Sequence, residues 1–474
     1  MGIPALRTIH DPIKISQLRN IGRYALVVKL FALLSILTCP FWLGMLFFSS
    51  PRDYSYTSSL ICVPLLAIAC AAAVGHVTQS DPYLRQLLLT GLIAHVAASG
   101  IFLWVAFYIF SGAADAFHYW TVGLQLADDF QVVGWSAFHP PYWSSNLINN
   151  ICGVMSLLIG DALPTLFVIF AFAALWGAYF FYRAFTIAFP DGDRWLFGLL
   201  LILSPSILFW SSSAGKDALG QFFIGLTCYG FAKLNQRSGV IGVVLCAVGL
   251  GGVLLVRAHV APMLAIGMTF PYVVGESGRR GANRVMRFFL IPLLLGGTYF
   301  VVRQAGSFLH VSGENAISGI QEADTVTKNS QIGGSAFNTG SSLPVRIAES
   351  PFLMFRPFPW EAGNAMGLAA SAESTGWLLL FWVRRRQVWS ALRHWRDPYV
   401  GFSLTYVAVF SVVFAASVSN FGILMRQRIM MVPVALMLIC AKQKVASGRS
   451  RQKLRHNRWR WSSEPRRHHV SSEV

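Results

Sequence analysis

Apolar runs of membrane-spanning length recur along almost the whole chain, and they constrain its fold more than any other feature. Each run is close to the ~20 residues that a helix needs to cross a hydrocarbon core. With 55% hydrophobic and only 12% charged residues, the sequence predicts an all-α polytopic membrane protein. The twelve predicted spans are 24–48, 59–76, 87–111, 163–185, 195–212, 217–234, 239–256, 260–276, 287–303, 363–383, 400–418 and 421–440.

The basic residues are concentrated in the C-terminal segment and in short loops, which decides what the net charge of +18 means. Ten of them lie in segment 441–474, which is predicted to be a cytoplasmic tail able to contact anionic lipid headgroups. The N-terminal segment 1–23 carries Lys14, Arg19 and Arg23 and is predicted to be cytoplasmic as well. This distribution favours membrane topology over nucleic-acid binding.

Two long loops of the predicted membrane domain, 24–440, are expected on the other side of the membrane. They are segments 112–162 and 304–362, and the first contains no Lys or Arg. Counting spans from a cytoplasmic N-terminus places both loops outside, in agreement with the positive-inside rule. The apolar stretch Ile151–Ile159 is too short to span and is expected at the interface. We therefore predict a multi-pass protein of the cell's inner (plasma) membrane with an extracytoplasmic active face.

The first candidate site lies at the outer end of the third span, where the chain reads Gly-Ala-Ala-Asp115-Ala-Phe-His118-Tyr119. If a helix begins here, Asp115, His118 and Tyr119 share one face at i, i+3 and i+4. Asp115 is the candidate catalytic base, with His118 as a second catalytic residue and Tyr119 as a substrate ligand. The alternative is structural, because aspartate is also a favoured helix N-cap.

Two outer turns supply further candidate substrate-binding residues. Lys216 and Asp217 follow a run of small residues, Ser-Ser-Ser-Ala-Gly, where a helix start would direct amide donors towards a phosphate. Arg257 and His259 lie at the next outer turn. The alternative for the first turn is a Lys–Asp pair in which Asp217 only caps the helix.

Two arginine-containing segments complete the candidate site. Prolines give the Arg356-Pro-Phe-Pro-Trp-Glu361 segment a rigid, extended backbone from which Arg356 and Glu361 can contact a substrate. The alternative is an interfacial arginine that snorkels among aromatic side chains. Arg426 and Arg428 are two residues apart, so on one helix they face different sides, and at least one is expected to hold phosphate. Glu373 lies midway along a span and is expected to pair with an arginine or face a cavity.

The Asp115 to Tyr119 stretch, on a chain with about a dozen predicted spans, resembles the GT-C superfamily of membrane glycosyltransferases. The resemblance implies polyprenyl-phosphate-linked sugar donors and a catalytic acidic residue in the first large outer loop. Ala116 stands where the commonest pattern has a second acidic residue, so no cofactor is predicted and metal dependence is left open. The two arginine segments also look like parts of bacterial exopolysaccharide and O-antigen assembly proteins.

The favoured hypothesis is an extracytoplasmic glycosyltransferase acting on a lipid-linked sugar and a glycan or lipid acceptor. Asp115 is its base, and Lys216, Arg257 and one of the two C-terminal arginines neutralise the leaving phosphate. An O-antigen or exopolysaccharide polymerase, which depends more on the arginines, is the first alternative. A transporter or flippase of lipid-linked sugars is the second. Membrane lipids are expected partners and nucleic acids are not.

Overall fold

The computed structural model describes most of the chain between the second predicted span and the last. The described residues are 56–138, 143–236, 239–274, 343–418 and 420–442, with a few isolated positions besides. Over these residues the chain is helical and contains no β-strand, as predicted. The predicted spans 24–48 and 287–303, the N-terminal segment and nearly all of the tail lie outside the described residues.

The first part of the described chain forms two long apolar helices, a helical hairpin and a third long helix. The Asp81 side chain starts α2 by accepting a hydrogen bond from the amide of Leu84 (3.1 Å), and Pro82 supplies the first helical residue. A turn with positive φ at Ser111 and Gly112 then redirects the chain into the hairpin. The elements are α1 (Tyr56–Val77), α2 (Pro82–Tyr108), α3 (Asp115–Val133), a 3-10 turn (Gly134–Ala137), α4 (Ser144–Ile159) and α5 (Leu163–Ala188).

The central part contains a broken helix followed by three helices. A bend of 49° separates α6 from α7, and it occurs at Pro205, which lacks the amide needed to continue the ladder of hydrogen bonds. The predicted span 195–212 is therefore two helices. The elements are α6 (Arg194–Leu203), α7 (Pro205–Ser211), α8 (Lys216–Leu234), α9 (Gly239–Val256) and α10 (Val260–Val274).

The last part of the described chain also contains a broken helix. The predicted span 421–440 is bent by 57° between α15 and α16, where Pro433 begins the second helix. Short helices occupy the end of the predicted loop 304–362, and its residues 304–342 lie outside the described residues. The elements are α11 (Leu343–Glu349), 3-10 turns (Ser350–Phe355 and Pro359–Glu361), α12 (Ala365–Val383), α13 (Arg385–Arg393), α14 (Pro398–Ser417), α15 (Phe421–Arg428) and α16 (Val432–Cys440).

Five helices of the described chain, α1, α2, α5, α9 and α14, are long and apolar enough to span a membrane. The number rises to seven if each bent pair counts as one span. Helices α8, α10 and α12 occupy three other predicted spans but are not among these candidates. The membrane character is thus supported, whereas the count of twelve and the sidedness stay predictions.

Helix α8 is held between α5 and α9 by glycines that let the backbones approach closely. A methyl group on Gly177 of α5 would lie 2.6 Å from the carbonyl oxygen of Gln221 in α8. Gly225 of α8 faces the carbonyl of Gly177 in the same way, and Gly249 of α9 faces the side chain of Thr227 (2.5 Å). Small residues are the usual means of bringing membrane helices into backbone contact. This packing fixes the position of α8, whose first turn carries Lys216 and Asp217.

The two ends of the bundle differ in charge. One end, here called the basic end, contains Arg384, which binds Asp193 (2.9 Å), and the Asp193 amide in turn binds the Cys440 carbonyl (2.9 Å) at the end of α16. Helix α8 has 19 residues, so its first turn lies ~28 Å from its last. That first turn, with Lys216 and Asp217, is at the other end of the bundle.

Replacing Gly225 with alanine is expected to destabilise the protein by ~1–3 kcal/mol, because the new methyl group meets the Gly177 backbone, which cannot move aside without separating the helices. Thermal unfolding in detergent measures the effect. Gly251→Ala is the matched control, since nothing lies within 4 Å of its added methyl group. Equal melting temperatures for the two variants would contradict this packing.

Candidate functional site

A buried carboxylate, Asp217, is the centre of the candidate site. It lies in the first turn of α8, is only 2% exposed, and receives an arginine on each oxygen. Arg257 binds Oδ1 through Nη2, and Arg426 binds Oδ2 through Nε at 2.5 Å. A charged carboxylate can be buried only when such partners compensate its charge, so the burial of Asp217 depends on the two arginines.

Arg426 extends this group to the surface. Its Nη1 atom lies 2.6 Å from Oδ2 of Asp115, whose side chain is 54% exposed. A continuous chain of charges therefore runs from Asp115 at the surface, through Arg426 and Asp217, to the buried Arg257. The structure brings four of the predicted residues together, although they come from distant parts of the sequence.

Neither aspartate caps its helix. The N-cap position of α3 is Ala114, and that of α8 is Gly215. The alternative interpretation of Asp115 and Asp217 as structural caps is therefore wrong. A real cap is found on α15, where the Asn420 side chain accepts from the amide of Gly422 (2.8 Å) and so starts the helix that carries Arg426.

Beside the charged chain is a cavity of about 110 Å³ that combines cationic and aromatic walls. Lys216 lines it and donates a hydrogen bond to Oγ of Ser144 (3.0 Å), while Arg257, His259 and Trp143 contribute further surface. The Nε atom of Arg257 is buried and has no hydrogen-bond partner among the described residues. With two carboxylates and three cations, the group has one positive charge in excess, which suits an anionic ligand.

Burial and neighbouring charges set the protonation of the groups around this cavity. Burial, followed by the nearby Arg257 and Arg426, lowers the pKa of Lys216 to about 8. Burial and then Arg257 lower the pKa of His259 to about 3, so its imidazole is neutral at physiological pH. Burial and the Asp115 carboxylate raise the pKa of Tyr119, which keeps its phenol a hydrogen-bond donor. These three groups differ from the predicted base, which is the carboxylate of Asp115.

His118 and Tyr119 have different surroundings despite being adjacent. Tyr119 is buried in the group and lies next to Gly215, where an added methyl group would be 3.6 Å from its ring. His118 is exposed, and in the described part of the chain its side chain makes no hydrogen bond or ion pair. Tyr119 is therefore buried next to the start of α8 whereas His118 is exposed, and the catalytic role of His118 and the substrate-binding role of Tyr119 stay predictions.

Arg428 belongs to a separate, fully buried network. Its guanidinium donates to the Arg356 carbonyl (2.7 Å) and the Ser374 hydroxyl (2.9 Å), and it pairs with Glu373 (3.4 Å). Glu373 also accepts from the amide and the hydroxyl of Ser206 in α7 (3.2 and 2.9 Å). Arg428 is 0% exposed, so the structure assigns it to holding α15, α12 and α7 together and places it away from any ligand-accessible surface.

Arg356 and Glu361 pair with each other. The Nη2 and Oε1 atoms are 2.5 Å apart, and Glu361 also accepts from the Phe358 amide (2.8 Å). The guanidinium lies over the ring of Phe421, 5.6 Å from its centroid. Both charged groups thus stabilise the Pro-rich segment, through contacts within it and with Glu349 and α15.

Sequence reasoning missed two serines that bind predicted residues. The Ser144 hydroxyl accepts the hydrogen bond from Lys216. Its backbone has a positive φ of 55°, a strained conformation of the kind that is concentrated at functional sites. The Ser206 hydroxyl donates a hydrogen bond to one oxygen of Glu373. Ser144 follows Trp143 and Ser206 follows Pro205, each at the start of a helix. Serine is too common at helix starts for this pattern alone to identify them.

In the part of the chain that is described, no three His, Cys, Asp or Glu side chains are grouped as metal ligands. No protein-family model, curated protein or solved structure matches the chain.

Replacing Glu373 with glutamine is expected to destabilise the protein by ~3–5 kcal/mol, because the Arg428 charge then stays buried without its counter-ion. Thermal or denaturant unfolding of the purified protein gives the value. Glu349→Gln is the control: its pair with Arg356 is 3.5 Å long and its side chain is 41% exposed, so the loss is at most ~1 kcal/mol. Similar losses in the two variants would show that the buried network does not hold the helices.

Proposed function

We propose that the protein is a membrane glycosyltransferase that moves a sugar from a polyprenyl-(pyro)phosphate donor to a glycan or lipid acceptor on the extracytoplasmic face. One observation carries the proposal: an exposed carboxylate, Asp115, is held by Arg426 in the same charged group as Arg257, which lines a cavity together with Lys216. A base and a cationic seat for a leaving phosphate are the two elements that such a transfer needs.

In the proposed reaction, an acceptor hydroxyl attacks the anomeric carbon of the donor sugar. Asp115 takes the hydroxyl proton as the new glycosidic bond forms. The bond between the sugar and the phosphate oxygen breaks, and its electron pair leaves with the phosphate. Lys216 and Arg257 then stabilise the added negative charge, because both line the cavity.

An apolar cavity of about 270 Å³ provides a place for the lipid part of the donor. It is formed between the 3-10 turn after α3 and one side of α4, with Trp135, Phe138 and Ile151 among its walls. Ile151 lies seven residues after Ser144 on α4, a rise of ~10 Å from the serine that binds Lys216. A lipid whose phosphate occupies the cationic cavity would extend its chain along α4 into this space.

Two observations favour the transferase over the alternatives. A polymerase that depends on its arginines needs them accessible, but Arg428 is fully buried and donates to Glu373, Ser374 and the Arg356 carbonyl. A transporter places charges near the membrane midplane for its substrate, whereas the deep carboxylate Glu373 is already paired with Arg428 and Ser206.

Asp115→Asn is expected to lower kcat for transfer from a radiolabelled polyprenyl-phosphate sugar by ~10²–10⁴-fold, since the general base is lost while Arg426 keeps Asp217. Stability should change by less than ~1 kcal/mol because the Asp115 pair is half-exposed. Asp128→Asn, the same change at an exposed position of α3, is the matched control.

Equal turnover by the two aspartate variants would remove Asp115 from the mechanism. Labelled lipid moved across proteoliposomes without any glycosylated product would instead identify a flippase. A product of joined repeat units would identify a polymerase that uses the same donor chemistry.

Binding of polyprenyl phosphate is expected to weaken as the pH rises through about 8, because Lys216 then loses its charge. The phosphate itself, with a second pKa of ~6, is already fully ionised in this range, so its own titration cannot cause the loss. Lys216→Arg should bind equally across the range, since guanidinium stays protonated, and Lys216→Gln should bind weakly throughout. Affinity of the wild type that does not change between pH 7 and about 9 would exclude Lys216 as a phosphate ligand.

A further inference from the structure

A surface of exposed arginines and tryptophans surrounds α13 at the basic end. Arg385, Arg386 and Arg393 are exposed there, and Trp382 and Trp389 are 65% and 58% exposed. Exposed tryptophan is unusual on a water-facing surface and frequent where a membrane protein meets lipid headgroups. These five residues are called the Arg–Trp surface below.

The arginines of this surface are held against the tryptophan rings. The guanidinium of Arg385 lies 4.9 Å from the ring centroid of Trp382, and that of Arg393 lies 5.5 Å from that of Trp389. Arg385 also donates to the Trp382 carbonyl (3.0 Å). Such cation–π contacts order the side chains but leave the remaining N–H groups of the guanidinium directed outward for a ligand.

The Arg–Trp surface lies at the level where several candidate spans end. Helix α14 begins at Pro398, and α6 begins at Arg194, next to the end of α16. The pair between Arg384 and Asp193 joins the start of α13 to this point (2.9 Å). Helix α13 is therefore located where the hydrocarbon core of a bilayer would give way to headgroups.

The acidic residues at this point are already engaged. Asp193 binds Arg384 and caps α6 through the Leu196 amide (3.2 Å), and Asp397 caps α14 through the Tyr399 amide (3.1 Å). Three exposed arginines on one nine-residue helix thus create a concentrated positive field. The ligand that fits is anionic and has an apolar part that suits the tryptophans.

We propose that the Arg–Trp surface binds the phosphate headgroups of anionic phospholipids in the adjoining leaflet. Guanidinium holds phosphate by paired hydrogen bonds, and each tryptophan ring contacts the glycerol and upper acyl region. A nucleic acid or an acidic protein would use the arginines but not the exposed rings at the ends of spans. The inference does not depend on the proposed transferase activity.

The test titrates the full-length protein in neutral detergent with short-chain phosphatidylglycerol or phosphatidylcholine and records the thermal unfolding midpoint. Phosphatidylglycerol is expected to raise the wild-type midpoint and phosphatidylcholine is not, with a smaller rise at high salt. The combined variant Arg385→Gln, Arg386→Gln and Arg393→Gln should need at least about tenfold more phosphatidylglycerol for the same rise.

Two matched variants separate the surface from net charge. Replacing the same three arginines with lysine keeps the charge but removes the paired hydrogen bonds of guanidinium, so it should keep only part of the effect. Arg451→Gln, Arg455→Gln and Arg458→Gln remove the same charge from the tail, which the sequence also predicts to contact anionic lipid, and should reduce the effect less than the α13 variant does. If the triple glutamine variant is already less stable without lipid, Arg386→Gln alone is compared with Arg451→Gln.

Equal stabilisation of the wild type by both lipids would overturn the proposal, as would equal losses in the α13 and tail variants. Stronger stabilisation by an oligonucleotide than by phosphatidylglycerol would also overturn it, in favour of a nucleic-acid surface.

Discussion

A single arginine that bridges two carboxylates is the interaction on which the candidate site depends. Arg426 binds the buried Asp217 through Nε and the exposed Asp115 through Nη1, so one planar group sets the distance between interior and surface. Guanidinium suits this role because its donors point in fixed directions and its charge is permanent. The outer carboxylate is therefore oriented by a group that is itself held by a buried partner.

The two carboxylates of the group differ in how many arginines compensate their charge. Asp217 has two arginines, whereas Asp115 has one and is open to water. Burial makes each inner charge depend on the other, because removing one partner leaves the other without compensation. The exposed Asp115 carboxylate can exchange Arg426 for another partner at a lower cost in free energy. A group that contacts a substrate needs this property.

Broken helices allow charged residues to enter an otherwise apolar bundle. The breaks at Pro205 and before Pro433 put short helices next to each other, and buried polar groups satisfy the backbone and side chains there. Arg428, two residues after Arg426, donates to two carbonyls and a hydroxyl in this region. Alternate sides of α15 thus serve two purposes: one side positions Arg426 in the site, and the other ties the helices together.

The sequence by itself determined the helical membrane class, the exclusion of most charge from the apolar runs, and the set of polar residues from which a site had to come. It also indicated that Arg426 and Arg428 face different sides, because helical spacing is local. Only the tertiary structure decided the partners: Asp115 and Arg426 are 311 residues apart in the chain, and the arginine that pairs with Glu373 is Arg428. The reason is physical. Periodicity and propensity act over a few residues, whereas the pairing of charges depends on glycine-mediated helix contacts and proline bends that bring distant segments to one point.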